Sequence, residues 1–297
     1  MMIMILITGS AGKTGRSILQ ALVERGAPVR ALVHRPDQIH AVESSGAQDV
    51  LVGDMNSQAT MERAVQDVRA VYHICPNVSP DEVAIGQIVI AAAQSAGVEH
   101  FVFHSVLNPQ TEAMPHHWKK LRAEELLVES KLPYTILQPA AYMQNIIAHW
   151  ERIQSEGIYP VPYPANTRLS LVDLMDVAQA AAIVLTEPGH QYATYQLVSI
   201  EGLSQTEVAT ILSQELGRPV RVTVVPLETW RSQAREAGLG DYQIATLTSM
   251  FRYYQRFDFL GNPQVLSWLL GRPPTTLNEF VRRITEEKNL TSKTSVL

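Results

Sequence analysis

Short apolar runs recur along the first two-thirds of this chain. Between them lie segments in which apolar residues return every three or four positions. Residues 2–8, 29–34, 49–52, 70–74, 100–104, 134–138 and 195–199 read as strands. Their near-continuous apolar character is that of strands covered on both faces. Residues 13–25, 36–44, 58–66, 80–96 and 115–130 read as helices between the first six, and 173–185 as a helix ahead of the seventh. The alternation predicts an α/β fold, a doubly wound parallel sheet with helices on both faces. Right-handed crossovers bring the strand C-termini to one edge, where such sheets bind ligands.

The pattern changes after residue 199. Residues 204–216 read as a helix, with Ser204 and Glu207 in the spacing of a capping box. A short strand at 220–225 precedes helical segments at 227–237, 242–255, 263–270 and 276–287, and the polar residues 288–297 are expected to fray. Residues 140–170 fall in a stretch with four prolines from 139 to 164 and read as an irregular excursion from the sheet. The expected organisation is a domain over 1–199 and a smaller, mainly helical C-terminal lobe over 200–297. The excursion joins that lobe, and together they are expected to roof a site. The segment from Phe251 to Phe257 is rich in aromatics and suits a lobe core, a pocket wall or an interface, core packing being the simplest assignment.

Composition narrows the classes. With 297 residues and 46% apolar content, the chain can bury a full core. No apolar run approaches the roughly 18 residues of a membrane span, and no basic leader precedes the first strand, so a cytoplasmic protein is expected. A net charge of −5 without a basic face argues against direct nucleic-acid binding. Cys75 is the only cysteine, which excludes an internal disulfide. The nine histidines are scattered apart from His116-His117, whose side chains point about 100° apart on a helix and chelate poorly. No Gly-x-Ser-x-Gly elbow is present.

The most telling local pattern is Thr8-Gly9-Ser10-Ala11-Gly12-Lys13-Thr14-Gly15, placed between the first strand and the first helix. Glycines there let the backbone turn sharply and approach a pyrophosphate, to which a helix N-terminus presents free N–H groups. The simpler alternative is a tight turn that binds nothing. Gly12-Lys13-Thr14 imitates the end of a Walker A loop, but that motif needs glycine where Ile7 stands. The Gly-x-x-Gly-x-x-Gly spacing resembles that of extended and atypical short-chain dehydrogenases.

The second strand ends Val33-His34-Arg35-Pro36 and lacks the acid that holds a ribose 2′-hydroxyl in NAD-preferring folds. Arg35, with Lys13, can grip a 2′-phosphate instead, so NADP(H) is expected over NAD(H). A solvated loop cation is the other reading of Arg35. Asp54 and Met55, after the third strand, fall where adenine is contacted, although Asp54 is equally placed to cap the following helix. Cys75, Pro76 and Asn77 end the fourth strand near the expected ribose and nicotinamide, although Cys75 also suits a small buried position. Ser105 follows the fifth strand, either to assist chemistry or to make a local backbone hydrogen bond.

Ordinary short-chain dehydrogenases carry Tyr-x-x-x-Lys on the helix after that strand, at i, i+4 spacing that puts both on one face. Here the helix begins Pro115-His116-His117-Trp118-Lys119-Lys120 and has no tyrosine; His116 and Lys120 hold the spacing. At this point the chain resembles the NmrA-like family of atypical short-chain dehydrogenases. The resemblance rests on Thr8–Gly15, on His116-x-x-x-Lys120 followed by Glu124 and Glu125, and on the run from Leu132 through Gln138-Pro139. It continues through Tyr142-Met143-Gln144-Asn145, residues 173–178 and the tail 270–277. It implies an NAD(P)-binding Rossmann domain with a smaller C-terminal lobe. It also implies either reduction of quinones, dyes or related compounds or sensing of the cofactor's redox state. Gln138 departs from the arginine that many relatives carry before the proline, so any role for that cation is lost.

On this reading the leading expectation is an NADPH-dependent oxidoreductase. It would pass hydride to a small conjugated acceptor such as a quinone or enone, in a cleft beside the C-terminal lobe. His116 then donates a proton while titrating near neutrality, and Lys120 holds the nicotinamide ribose and keeps the site positive. Pro139, Tyr142 and Asn145 lie near the nicotinamide or acceptor, lobe packing being the alternative for the latter two. The competing expectation is a regulator that binds NADP(H) and a protein partner without turnover.

Overall fold

A computed structural model describes residues 4–294, with side chains through residue 288. The chain runs β1 (Ile5–Ile7), α1 (Lys13–Glu24), β2 (Val29–Val33), α2 (Ile39–Glu43), β3 (Asp49–Val52), α3 (Gln58–Ala64), β4 (Ala70–His73) and α4 (Glu82–Ser95). It continues through β5 (His100–His104), α5 (Pro115–Glu129), β6 (Tyr134–Pro139), β7 (Ala141–Tyr142), α6 (Trp150–Glu156), β8 (Ile158–Val161), β9 (Arg168–Val172), α7 (Leu174–Thr186) and β10 (Ala193–Leu197). Last come β11 (Ile200–Ser204), α8 (Gln205–Leu216), β12 (Arg221–Val224), α9 (Leu227–Glu236), α10 (Asp241–Phe257), α11 (Gln264–Leu270) and α12 (Leu277–Thr294). These elements form two compact units. One holds the chain through Pro139 together with Leu174–Leu197, and the other holds Ala140–Asp173 together with the chain from Val198 on.

The first unit is a doubly wound α/β fold. Its seven strands pair in the order β10-β6-β5-β4-β1-β2-β3, and every pairing is parallel. The order reverses between β1 and β4, the crevice in which such sheets bind ligands. The face against α3, α4 and α5 is a continuous core of Leu6, Leu32, Val71, Phe101, Phe103 and Ile136 packed on Met61, Ile85, Val89 and Leu127. Helices α1 and α7 pack together. The apolar residues Ile18, Leu19 and Leu22 of α1 recur on one face and are fully buried.

The strand expectations hold with small shifts. Residues 49–52 and 100–104 are strands over those spans, and β1 is shorter than the run 2–8, of which Met2 and Ile3 lie outside the described residues. The last strand is Ala193–Leu197 rather than 195–199, because its register is set by pairing Ala193 with Thr135 and Leu197 with Pro139. The expected helix at 36–44 divides into a 3₁₀ turn, Pro36–Gln38, and α2.

The second unit has a three-stranded sheet in the order β11-β9-β7, a parallel pair of β8 and β12, and the helices α6 and α8–α12. Residues 140–170 are therefore not irregular. They hold β7, a 3₁₀ segment (Met143–His149), α6, β8 and the start of β9. Pro160 lies inside β8, opposite Thr223, which a two-stranded ribbon made only of edges tolerates. Ser204 caps α8 as expected, its hydroxyl accepting from Glu207 N–H while the Glu207 carboxylate accepts from Ser204 N–H. The last helix does not stop at 287. Glu286, Glu287 and Lys288 are good helix formers and no proline or glycine follows, so α12 reaches Thr294. Asp173, fully buried, joins Gln144 Nε2 and Arg283 at 2.7 Å each. In the aromatic segment at the end of α10, Tyr254 is buried against Phe259 while Phe257 is exposed, so it is only partly a core element.

Candidate active site at the sheet edge

The glycine loop is where β1 turns directly into α1. Gly9 has φ +60°, and a Cβ there would lie 2.9 Å from the Ile74 carbonyl oxygen. Gly15 packs so tightly that a Cβ would fall 2.4 Å from Gly9 O and 2.6 Å from Ser10 Cα, which only glycine allows. Gly12 is the N-cap of α1. It offers no side-chain cap, and the first turn carries no acid. The orphan N–H groups of that turn, with Lys13 beside them, form a setting for an anion.

Two polar residues of the loop turn inward. Thr8 Oγ1 lies 2.9 Å from His73 Nδ1, accepts from Ile74 N–H and donates to Ile74 O, which ties β1 to β4. Ser10 Oγ donates to Leu32 O at 2.8 Å. Both are buried, so their side chains serve the fold and only their backbone faces the loop.

The end of β2 is held by Gln38, whose Oε1 accepts from His34 N–H and Arg35 N–H at 3.0 Å each. His34 and Arg35 are exposed, and Arg35 is paired with Asp37, Nε to Oδ1 3.1 Å. Such an exposed pair is weak, so the guanidinium is available to a stronger anion. Asp54 does not cap α3. It accepts from Asn56 N–H at 2.9 Å, which holds its carboxyl below the usual range, and Ser57 caps the helix instead. Met55 beside it is half-buried.

At the C-terminal ends of β4, β5 and β6, the face against α4 and α5 carries a buried polar layer. Lys120 is 4% exposed, and its Nζ lies 2.8 Å from Glu82 Oε1. The same ammonium donates to His104 O at 2.8 Å and stands 5.0 Å from the centre of the Phe103 ring. Glu82 is fully buried and opens α4, where the positive end of the helix favours a carboxylate. One turn along α5 from Lys120, the buried Glu124 accepts from Ser105 Oγ and from Gln138 Nε2, the latter at 3.0 Å. Burial raises the Glu124 pKa, opposed by Ser105, Gln138 and the charge of Lys120.

The imidazoles nearby are neutral. His73 is fully buried and stacks on Phe103, and burial followed by the charge of Lys120 lowers it to about 3. His104, 2.7 Å from the Tyr72 hydroxyl, is lowered to about 3 in the same way.

Two site expectations change here. His116 is half-buried, but its Nδ1 is shut off from water without a partner. Burial first, then Lys120 and the adjacent histidines, push it down to about 3. It therefore does not titrate near neutrality, and at pH 7 it is a neutral ring. Nor does Lys120 leave the site positive, because Glu82 balances it. Cys75 is buried, and its thiol is pushed far up by burial and by Glu82, so it is inert. Pro76 and Asn77 are exposed beyond it, and Ser105 and Pro139 are buried at the ends of their strands. Tyr142 and Asn145 belong to the second unit, half-buried and exposed respectively. Sequence reasoning missed Glu82 altogether. Among the described residues no group of three or more His, Cys, Asp or Glu is arranged to hold a metal ion.

A glycine-lined anion loop at one end of a sheet edge and a buried lysine on α5 toward the other accord with the family that the chain matches over residues 1–285. The chain belongs to the NmrA-like family. Among proteins similar to this NmrA-like chain, an NAD(P)H azoreductase of Xenophilus azovorans is 28% identical, over 94% of the chain and 97% of its own length. A (4-alkanoyl-5-oxo-2,5-dihydrofuran-3-yl)methyl phosphate reductase of Streptomyces griseus is 32% identical over 77% of the chain and 79% of its own length. The crystal structure of an NADPH-dependent quinone oxidoreductase of Escherichia coli, complexed with NADPH, matches with TM-score 0.83 and 25% identity, covering 95% of this chain and 99% of the other.

Proposed function

We propose that the protein is an NADPH-dependent oxidoreductase that reduces a small conjugated acceptor such as a quinone or enone. The observation that carries the proposal is the combination, in one Rossmann unit of an NmrA-like chain, of the uncapped α1 N-terminus with the buried Lys120 on α5. The similarity to an NAD(P)H azoreductase and to a quinone oxidoreductase crystallised with NADPH supports the same reading.

The residues present fit the cofactor. The backbone of Gly9–Gly15 and the first N–H groups of α1 would hold the pyrophosphate. Arg35 and Lys13 would take the 2′-phosphate, which favours NADP(H) over NAD(H). His34, Asp54 and Met55 would border the adenosine, and Cys75, Pro76, Asn77 and Pro139 the ribose and nicotinamide. Lys120, with one ammonium proton left after Glu82 and His104 O, would hold the nicotinamide ribose. Bound NADPH supplies the hydride. In this reading His116 acts as a neutral imidazole whose N–H polarises an acceptor oxygen, not as an imidazolium acid.

A second reading, a sensor of NADP(H) without turnover, is favoured by one observation. Lys120 is already engaged by Glu82, and α5 carries no tyrosine beside it. Purified protein assayed for NADPH oxidation against quinones, enones and dyes separates the two. Acceptor-dependent consumption supports the reductase; tight NADPH binding with no consumption across the panel favours the sensor.

A further inference from the structure

We propose that Glu124 is the internal proton source for acceptor reduction and that it passes its proton outward through Ser105. The proposal rests on the reductase reading above and adds to it a group for which no sequence motif gave a role.

Glu82, Lys120 and Glu124 sit in one buried layer and are 0%, 4% and 7% exposed. The surrounding imidazoles add nothing, because His73, His104 and His116 are lowered to about 3. The Cys75 thiol is protonated. With both carboxylates ionised the layer would hold an uncompensated negative charge out of water, which is strongly unfavourable. One proton on the pair makes it neutral.

The partners decide which carboxylate carries that proton. Glu82 faces an ammonium at 2.8 Å and stands at the positive end of α4. Both favour a negative charge at that position. Among the described residues Glu124 is hydrogen-bonded by the neutral side chains of Ser105, which follows β5, and Gln138 of β6. The opposite charge acting on it is Lys120, a turn earlier and committed to Glu82. A hydroxyl and a primary amide each serve either protonation state. They donate to a carboxylate, and turned over they accept from a carboxylic acid. Burial raises Glu124 in the same direction. A buried carboxyl with neutral partners, beside one paired with an ammonium, is the usual mark of an acid assignment.

Ser105 gives the route. It directly follows β5 at the edge where such sheets bind ligands, and its hydroxyl is bonded to Glu124. Two-electron reduction of a quinone or enone requires a hydride and one proton. The acceptor receives the hydride with its electron pair. Its oxygen then takes the Ser105 hydroxyl proton as Ser105 takes the Glu124 proton. Glu124 is left as a carboxylate bonded by Ser105 and Gln138 until solvent returns a proton.

Infrared spectroscopy and kinetics test the proposal on the whole protein. In the wild type at neutral pH a buried carboxylic-acid C=O stretch is expected, and it should be absent from Glu124→Gln. In Ser105→Ala the band is expected to remain. Both variants should bind NADPH as the wild type does, by cofactor fluorescence, while kcat falls about 100-fold or more, the usual contribution of a general acid. Ser105→Ala removes a single oxygen and guards against misfolding of the other variant. Absence of the band from the wild type, its persistence in Glu124→Gln, or unchanged kcat in either variant overturns the proposal. Failure of the wild type to oxidise NADPH at all overturns it together with the reductase reading. Wild-type turnover with no dependence on Glu124 and Ser105 overturns the proton route alone.

Discussion

Replacing Lys120 by methionine is expected to cost far more stability than loss of an exposed cofactor contact would. The Lys120 and Glu82 side chains are 5% and 0% exposed, and their charged atoms are 2.8 Å apart. Removing the ammonium leaves a carboxylate buried without its counter-charge, for which about 3–5 kcal/mol is typical. That is roughly two to four orders of magnitude in the folding equilibrium, out of a total stability on the order of 5–15 kcal/mol. Glu82→Gln leaves Lys120 with only His104 O and is expected to be destabilised by a similar amount. The Lys120→Met, Glu82→Gln double variant removes both charges together, so its loss should fall well short of the sum of the single losses. Urea unfolding of the four proteins at pH 7.5 measures this as a coupling of more than about 2 kcal/mol. A Lys120→Met protein within about 1 kcal/mol of the wild type, or losses that simply add, would refute the buried-pair argument. The result bears on function too. Lost activity in the single lysine variant alone would not identify a cofactor contact, whereas the folded double variant isolates that role.

The remaining predictions concern pH, the loop and cofactor choice. His73, His104 and His116 are lowered to about 3, and His100 and His117 to about 4. The unfolded chain therefore takes up these protons first, below about pH 6.5, and stability present above that pH is lost at about 1.4 kcal/mol per histidine per unit. Five such groups lower stability by about 6 kcal/mol between pH 7 and pH 5.5, and a Glu124 that stays protonated in the fold returns about 2, so urea unfolding should show a drop of about 4; a drop of less than about 2 would contradict the burial argument. Gly15→Ala places a methyl group on Gly9 and Ser10 backbone and is expected to cost about 1–3 kcal/mol. It should also weaken NADPH more than tenfold in a fluorescence titration, and wild-type affinity would show that the loop does not hold the cofactor. Arg35→Ala is expected to weaken NADPH by about 10- to 100-fold and NADH little, and equal weakening would remove the 2′-phosphate assignment.

The sheet was legible because strands covered on both faces must be apolar throughout, and the short runs between helices had no other stable arrangement. The glycine loop was legible because Gly9 and Gly15 lie where any side chain would strike backbone. In the second unit the strand read at 220–225 is found as β12, but β7 has two residues and β8 contains Pro160, so neither of these shows alternation. Within the site, spacing pointed to Lys120 but not to its partner. An acid at the start of α4 looks like an ordinary helix-start charge, and only the fold reveals that Glu82 is fully buried. His116 was found by spacing, yet its state was misjudged, since the seclusion of Nδ1 is a tertiary property. Gln138 registered as a missing cation. In the folded protein it is the neutral partner of Glu124.

The central claim is that the NADP(H) site at the sheet edge turns over and that Lys120 serves it. The most direct test is NADPH oxidation with a quinone acceptor, comparing the wild type with the folded Lys120→Met, Glu82→Gln double variant. The account predicts acceptor-dependent oxidation by the wild type and its near-complete loss in the double variant. Wild-type rates in a folded double variant, or no oxidation by a wild type that binds NADPH, would contradict it.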